Sequence, residues 1–228
     1  DDLSTGAAAN LAHVAPSERL RVLEHSVSDW RDLAEVVKGC DFVFHLASVV
    51  GVELVVRSPI NTIHTNLHVT EAVLDAAAGS GVPVLLTSTS EVYGKSANET
   101  FSESDDLLIG PPHLGRWSYA CSKLMDEFLA MAYWQDQKAP VVIARLFNTV
   151  GPRQTGKYGM VLTRFIEAAR RNEPLVVFGD GSQSRCFCFV GDTVEALVRL
   201  AANESARGEV FNVGTDEEIT IRGLAERV

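Results

Sequence analysis

The spacing of apolar positions along the chain changes several times, and each change predicts an element. Residues 59–78 carry Ile63, Leu67, Val69, Val73 and Leu74 at helical spacing, with Gly79 as a stop, which predicts one long helix. Residues 41–47, 83–89 and 140–147 are apolar with little alternation, the pattern of strands covered on both faces. A shorter strand is expected at 21–25, followed by a helix from Ser28 to Lys38 that Gly39 ends. Later in the chain the pattern predicts a helix carrying Tyr119 to about Asp136, a helix over 161–171, strands around Val176 and Phe187, a helix over 192–202, a short strand at 210–212 and a helix beginning at Thr220. Strands alternating with helices specify a parallel sheet with helices on both sides.

Chemistry concentrates at two places in this pattern. In Trp117-Ser118-Tyr119-Ala120-Cys121-Ser122-Lys123, the phenol and the ammonium are four residues apart and project from one helix face. A lysine so placed is expected to lower the tyrosine below the ordinary phenol value of ~10 and make it a base for an alcohol proton. The second place is the end of the run Pro83 to Gly94, where Thr89, Ser90 and Glu91 follow a buried strand. Arg145-Leu146-Phe147-Asn148-Thr149-Val150-Gly151-Pro152-Arg153 comes after the tyrosine helix. Between these motifs, residues 94–115 form a polar stretch too long for a simple turn, expected to lie over a binding site.

Together these motifs resemble the extended short-chain dehydrogenase/reductase family, specifically its NAD-dependent nucleotide-sugar epimerases, dehydratases and decarboxylases, and the likeness runs in order from Asp1 to the last residue. The resemblance implies a Rossmann-like, doubly wound α/β fold, with residues 1–150 binding NAD and residues 151–228 forming a smaller α/β nucleotide-sugar region. It implies Tyr119 as the base at the sugar C4 hydroxyl, Lys123 at the nicotinamide ribose, and Thr89 hydrogen-bonded to the same hydroxyl. Glu91 stands where the family's dehydratases keep a proton-transfer group, or else caps the loop or binds sugar hydroxyls. Asp1, Leu46, Ala47, Ser48, Asn66 and Phe147 fall at cofactor positions. Leu46 to Ser48 also suit a plain tight turn, and Asn66 an exposed polar helix position. Asn148 and Arg185 fall at diphosphate positions, Val161 and Phe178 at the base pocket. Arg153 and Arg164 are either neighbours of that site or surface charges. The implied substrate is a UDP-linked sugar and the implied reaction a 4-epimerisation, with UDP-glucuronate decarboxylation or 4,6-dehydration as alternatives and a non-catalytic NAD-binding scaffold as a further reading. Where many dehydratases have Asp, Ser90 stands here. A homodimer built on two long helices is implied as well.

Composition narrows the setting. The 228 residues are 46% apolar and 22% charged, and the net charge of −10 argues against nucleic acid as a partner. No apolar run approaches the roughly 18 residues of a membrane span, and a cytoplasmic location is expected. Cys40, Cys121, Cys186 and Cys188 form no CxxC pair and are expected as reduced, buried thiols. His64 and His68 are spaced like metal ligands, but Thr65 stands where a zinc-protease motif needs Glu, so no metal is expected. Gly179 to Ser184 reads as a β-turn rather than a phosphate loop. With no glycine-rich turn before a first helix, and with a helix still running at Val228, the sequence reads as a piece whose first βαβ unit lies upstream and whose sugar region continues downstream.

Overall fold

The computed structural model describes residues 1–4, 6–14, 17–155 and 160–228. Its centre is a parallel four-stranded sheet in the order β1 (Val43–His45), β2 (Val84–Thr89), β3 (Val141–Leu146) and β6 (Val210–Val213). Every residue of β2 is buried, as its unbroken apolar run requires of a strand covered on both faces. Helices α3 (Pro59–Ala78) and α4 (Trp117–Gln137) cover one face, where Leu74 and Ala130 pack on Leu86, Val141 and Ile143. Helix α6 (Val190–Ala202) covers the other, where Leu197 packs on Leu85, Val142 and Ala144. Successive side chains on β2 and β3 thus point to opposite helix layers, as strand geometry dictates.

A smaller sheet follows, in which β4 (Asn148–Val150) pairs parallel and β7 (Glu218–Thr220) antiparallel with β5 (Ser184–Phe189). Phe165 of α5 (Val161–Arg170) packs on Ile221 and Leu224 of α7 (Ile221–Arg227), which Thr220 caps by accepting from Gly223 N. The two sheets are not consecutive in the chain, because β6 returns to the first sheet between β5 and β7.

Several expected elements differ. Residues 21–25 form no strand; among the described residues their backbone meets Asp1, through His25 N to Asp1 O at 3.1 Å and the Asp1 ammonium to Leu23 O at 3.4 Å. The helix expected from Ser28 begins at Leu33 (α1, Leu33–Lys38), and Ser28 sits in a separate 3-10 turn. A further short helix, α2 (Val52–Arg57), precedes α3. Strand β1 is an edge strand, and Phe44 is 41% exposed rather than covered on both faces. No strand forms at Val176. Of the cysteines, which are all free thiols, Cys40 and Cys121 are exposed and only Cys188 is buried.

Candidate active site

The carboxyl ends of parallel strands are where α/β sheets place ligands, since loops there diverge around a crevice. Here β1 runs out into Leu46, Ala47 and Ser48, β2 ends at Thr89, and β3 ends just before Phe147. Helix α4 brings Tyr119 to this edge. Its first turn is fixed by Trp117, whose indole packs directly on Gly110, so that no side chain fits at residue 110. Gly94, at φ +63°, allows the polar loop to fold back on Leu108 where an L side chain would be both strained and blocked.

Tyr119 is half-buried. The Thr89 hydroxyl is the neighbour that favours its phenolate. Thr89 Oγ1 accepts from Glu91 N at 3.2 Å, and its hydroxyl proton is free to donate. The expected lowering of the phenol is not what this structure shows. Burial pushes Tyr119 above its ordinary value, the Glu91 and Asp126 carboxylates add to the rise, and the Thr89 hydroxyl opposes it. The lysine charge is itself paired: Lys123 Nζ lies 2.8 Å from Asp126 Oδ2, with side-chain exposures of 2% and 0%. Thr70 faces the same carboxylate and also meets His45 Nε2 at 3.0 Å. Burial, then the Lys123 charge, holds His45 down at about 3, so its imidazole is neutral.

Glu91 remains open to solvent on one side. Partial enclosure raises its carboxyl, and Arg116 and Arg185 oppose the rise. Arg185, expected at a diphosphate, is thus near enough for its charge to act on Glu91, while its Nη1 donates to Ser184 O at 2.6 Å. Asn66 is not an exposed polar position. It is 1% exposed, and its Oδ1 accepts from Ser48 Oγ at 3.0 Å and Val49 N at 2.8 Å while its Nδ2 donates to Ser122 Oγ at 3.0 Å. It fastens the loop after β1 to the helix that carries Tyr119.

The remaining expected positions lie further out. Asn148 donates to Cys186 O at 3.2 Å, and Phe147 N to Val213 O at 3.0 Å. Val161 packs beside Phe165, and Phe178 is 63% exposed with the Arg164 guanidinium 4.8 Å over its ring. Arg153 reaches Asn10 O at 3.1 Å, which makes it a tie to the early chain. Asp1 is exposed and accepts from Leu3 N at 2.7 Å. His64 and His68 lie side by side and exposed, and no cluster of metal-ligating residues occurs among the described residues. Asp126, Thr70, His45 and Arg116 were missed. Opposite charge at i+3 from Lys123 was the signal for Asp126.

The strand edge fits the nicotinamide half of NAD. Leu46 is 57% exposed there and Ala47 is also open, a small apolar lip that a planar ring would cover, and Tyr119 and Lys123 stand one helical turn apart beside it. Among the described residues no glycine-rich turn leads from a strand into a helix to receive the pyrophosphate. No helix among them is long and apolar enough to cross a membrane.

Comparison with known proteins places the chain among enzymes of nucleotide sugars. The chain is 40% identical over 95% of its length to the UDP-N-acetyl-alpha-D-glucosaminuronate decarboxylase of Bacillus cytotoxicus, covering 67% of that protein. It is 36% identical over its full length to UDP-glucuronic acid decarboxylase 1 of Arabidopsis thaliana, covering 51% of it. The chain therefore spans between about half and two thirds of these curated relatives. Among solved structures, the UDP-N-acetylglucosamine 4-epimerase of Methanobrevibacter ruminantium superposes with a TM-score of 0.90 at 32% identity, over 99% of this chain and 71% of that one. The UDP-glucuronic acid 4-epimerase of Bacillus cereus, solved with UDP-glucuronic acid and NAD, superposes at 0.83 and 29% identity, over 94% and 66%. The sequence profile of the NAD dependent epimerase/dehydratase family matches residues 2–214, and the chain belongs to that family.

Proposed function

We propose that the protein carrying this chain oxidises a UDP-linked sugar transiently at C4, and that the observation carrying this reading is the convergence of Tyr119, Thr89 and Glu91 at the carboxyl end of β2. NAD, when bound, supplies the two-electron acceptor for C4. Tyr119, once its phenol has given up its own proton, takes the proton of the C4 hydroxyl as a phenolate. Thr89, which accepts from Glu91 N with one of its two lone pairs, donates its hydroxyl proton towards the same oxygen and stabilises negative charge on it. Leu46 and Ala47 present the lip for the nicotinamide, Asn66 holds that lip through Ser48 and Val49, and Lys123 is the group for the ribose. Asp1 would meet the adenosine ribose. Asn148 and Arg185 would hold the diphosphate, and Val161 and Phe178 the base. In this division residues 1–150 serve NAD and 151–228 the nucleotide sugar, with β6 returning to the first sheet.

The product depends on the step after oxidation. Decarboxylation of a UDP-hexuronate is the reading that two relatives at 40% and 36% identity support. Arg116, the larger of the two cationic influences on Glu91, supplies cationic character for a C6 carboxylate beside it. A ketone at C4 is β to that carboxylate and takes up the C5–C6 bonding pair as an enolate when carbon dioxide leaves, so no further base is needed; the enolate then takes a proton at C5 and C4 is reduced again. The second reading is 4-epimerisation, supported by the epimerase neighbours and needing only rotation of the keto sugar. A homodimer belongs to the proposal, supported by Met125 and Phe128 at 50% and 64% exposure on α4. So does a reducing, cytoplasmic setting, supported by the exposed free thiols of Cys40 and Cys121.

The test is to incubate the full-length protein and NAD with UDP-glucose and with UDP-glucuronate and to follow products by NMR. Loss of carbon dioxide from UDP-glucuronate is expected. A C4-inverted sugar of unchanged mass would replace decarboxylation by epimerisation, and turnover of neither sugar would refute both.

A further inference from the structure

The reaction uses Tyr119 and Lys123, but the most enclosed charge near them belongs to neither. Asp126 is wholly buried, its Oδ2 lies 2.8 Å from Lys123 Nζ, and its Oδ1 has no hydrogen-bonding partner among the described residues. A buried carboxylate with an unmet oxygen is costly, and a well-packed apolar residue would serve folding as well. Its place is one turn beyond Lys123 on the helix that carries Tyr119, facing Thr70 of α3, which in turn meets His45 of β1.

We propose that Asp126 is a positioning residue for Lys123: in the unloaded protein it holds the ammonium in a buried ion pair and so keeps the lysine charge from acting on Tyr119. The groups around the phenol are consistent with this. On its own helix the phenol feels Asp126, with Lys123 four residues on, on the same helix face. From the end of β2 it faces Thr89, and from the following turn Glu91, which is itself under Arg116 and Arg185. Asp126 faces Lys123, Thr70 and the neighbouring Glu127, and His45 is the further titratable group on this side, sensing Lys123. Of the two carboxylates that act on the phenol, Asp126 is the one that also pairs the lysine. Neutralising Asp126 therefore removes an anion from the phenol's surroundings and releases a cation into them, and the two changes act in the same direction.

The test needs no substrate. The protein is labelled at tyrosine Cζ with 13C and titrated without nucleotide, and the Tyr119 signal among the four tyrosines is identified by its loss in Tyr119→Phe. In the wild type the signal stays at its protonated position as pH passes about 10, where an ordinary phenol titrates. In Asp126→Asn the midpoint moves down, and a midpoint one pH unit lower leaves about tenfold more phenolate at a fixed pH below it. Asp126→Glu, which keeps the charge, retains the wild-type midpoint. Asp126→Ser takes the place of Asp126→Asn if the latter does not fold, with melting temperature as the check. An unchanged or raised midpoint in the neutral variants, or an equal displacement in Asp126→Glu, overturns the proposal. The companion reading rests on the C4-oxidation reaction: the acid limb of turnover moves to lower pH in Asp126→Asn, whereas a merely structural role lowers turnover at every pH without moving the limb. Because the phenol titration is made on unloaded protein, it stands or falls separately from the choice of sugar.

Discussion

Asn66 and His45 show how single buried side chains fix the site. Asn66 satisfies Ser48, Val49 and Ser122 at once, so Asn66→Ala strands polar groups rather than just removing one. A loss of about 1–3 kcal/mol is expected in denaturant unfolding, together with faster amide exchange at Val49. His45 makes a pH prediction. Its folded value of about 3 lies below the ordinary 6.5, so the unfolded chain binds a proton that the folded chain refuses between those limits. Its contribution is fully present above 6.5 and declines as pH falls towards 3, by about 1.4 kcal/mol for each pH unit. Urea unfolding at neutral and at mildly acidic pH should show a shallower decline for His45→Gln than for the wild type. At this scale the shared helix face of Tyr119 and Lys123 was legible from spacing, because i and i+4 share a face in any context, whereas Thr89 came from the family resemblance. The direction of the effect on Tyr119 was not legible, because burial of the phenol, set by tertiary packing, is its largest cause.

At the scale of elements, α4 carries two ion pairs on neighbouring faces. One is Lys123 with Asp126; the other is Glu127 with Arg145 of β3, at 2.8 Å and with both side chains at least nine-tenths buried. The second pair continues into Tyr93 Oη at 2.9 Å from Arg145 Nη1, and from there to Asn212 Oδ1 of β6 at 2.8 Å. It therefore links α4, β3, β6 and the turn after β2. Arg145→Met leaves Glu127 buried without its cation and should cost about 3–5 kcal/mol, read from the denaturant midpoint. Double replacement of Glu127 and Arg145 by apolar residues should recover part of that loss. The long elements α3, α4, β2 and β3 were legible because burial on one or both faces dictates their apolar pattern. Residues 21–25 and the stretch at Val176 have the composition of strands, but in this structure no neighbouring strand supplies a ladder to either. Strand β4 was missed because three residues carry no period.

For the molecule as a whole, the order of elements specified the parallel sheet, and the family resemblance specified which edge of it carries chemistry. What pattern alone did not reveal is the interleaving of the two sheets, since β6 joins the first sheet only through its register with β3, Ile143 opposite Val210. The arginines at the cleft were half legible. Arg185 follows a glycine turn, whereas Arg116 belongs to a loop whose path is set by tertiary contacts such as Trp117 against Gly110. Everything proposed for the cleft turns on the phenol of Tyr119 moving the C4 proton in the full-length protein. The most direct measurement is the turnover of UDP-glucuronate by Tyr119→Phe, loaded with NAD and shown by circular dichroism and melting temperature to be folded. Loss of one hydroxyl should lower turnover by about 10²–10⁴-fold while leaving the fold intact. Turnover within a few-fold of wild type would contradict that role and place the proton transfer on another group.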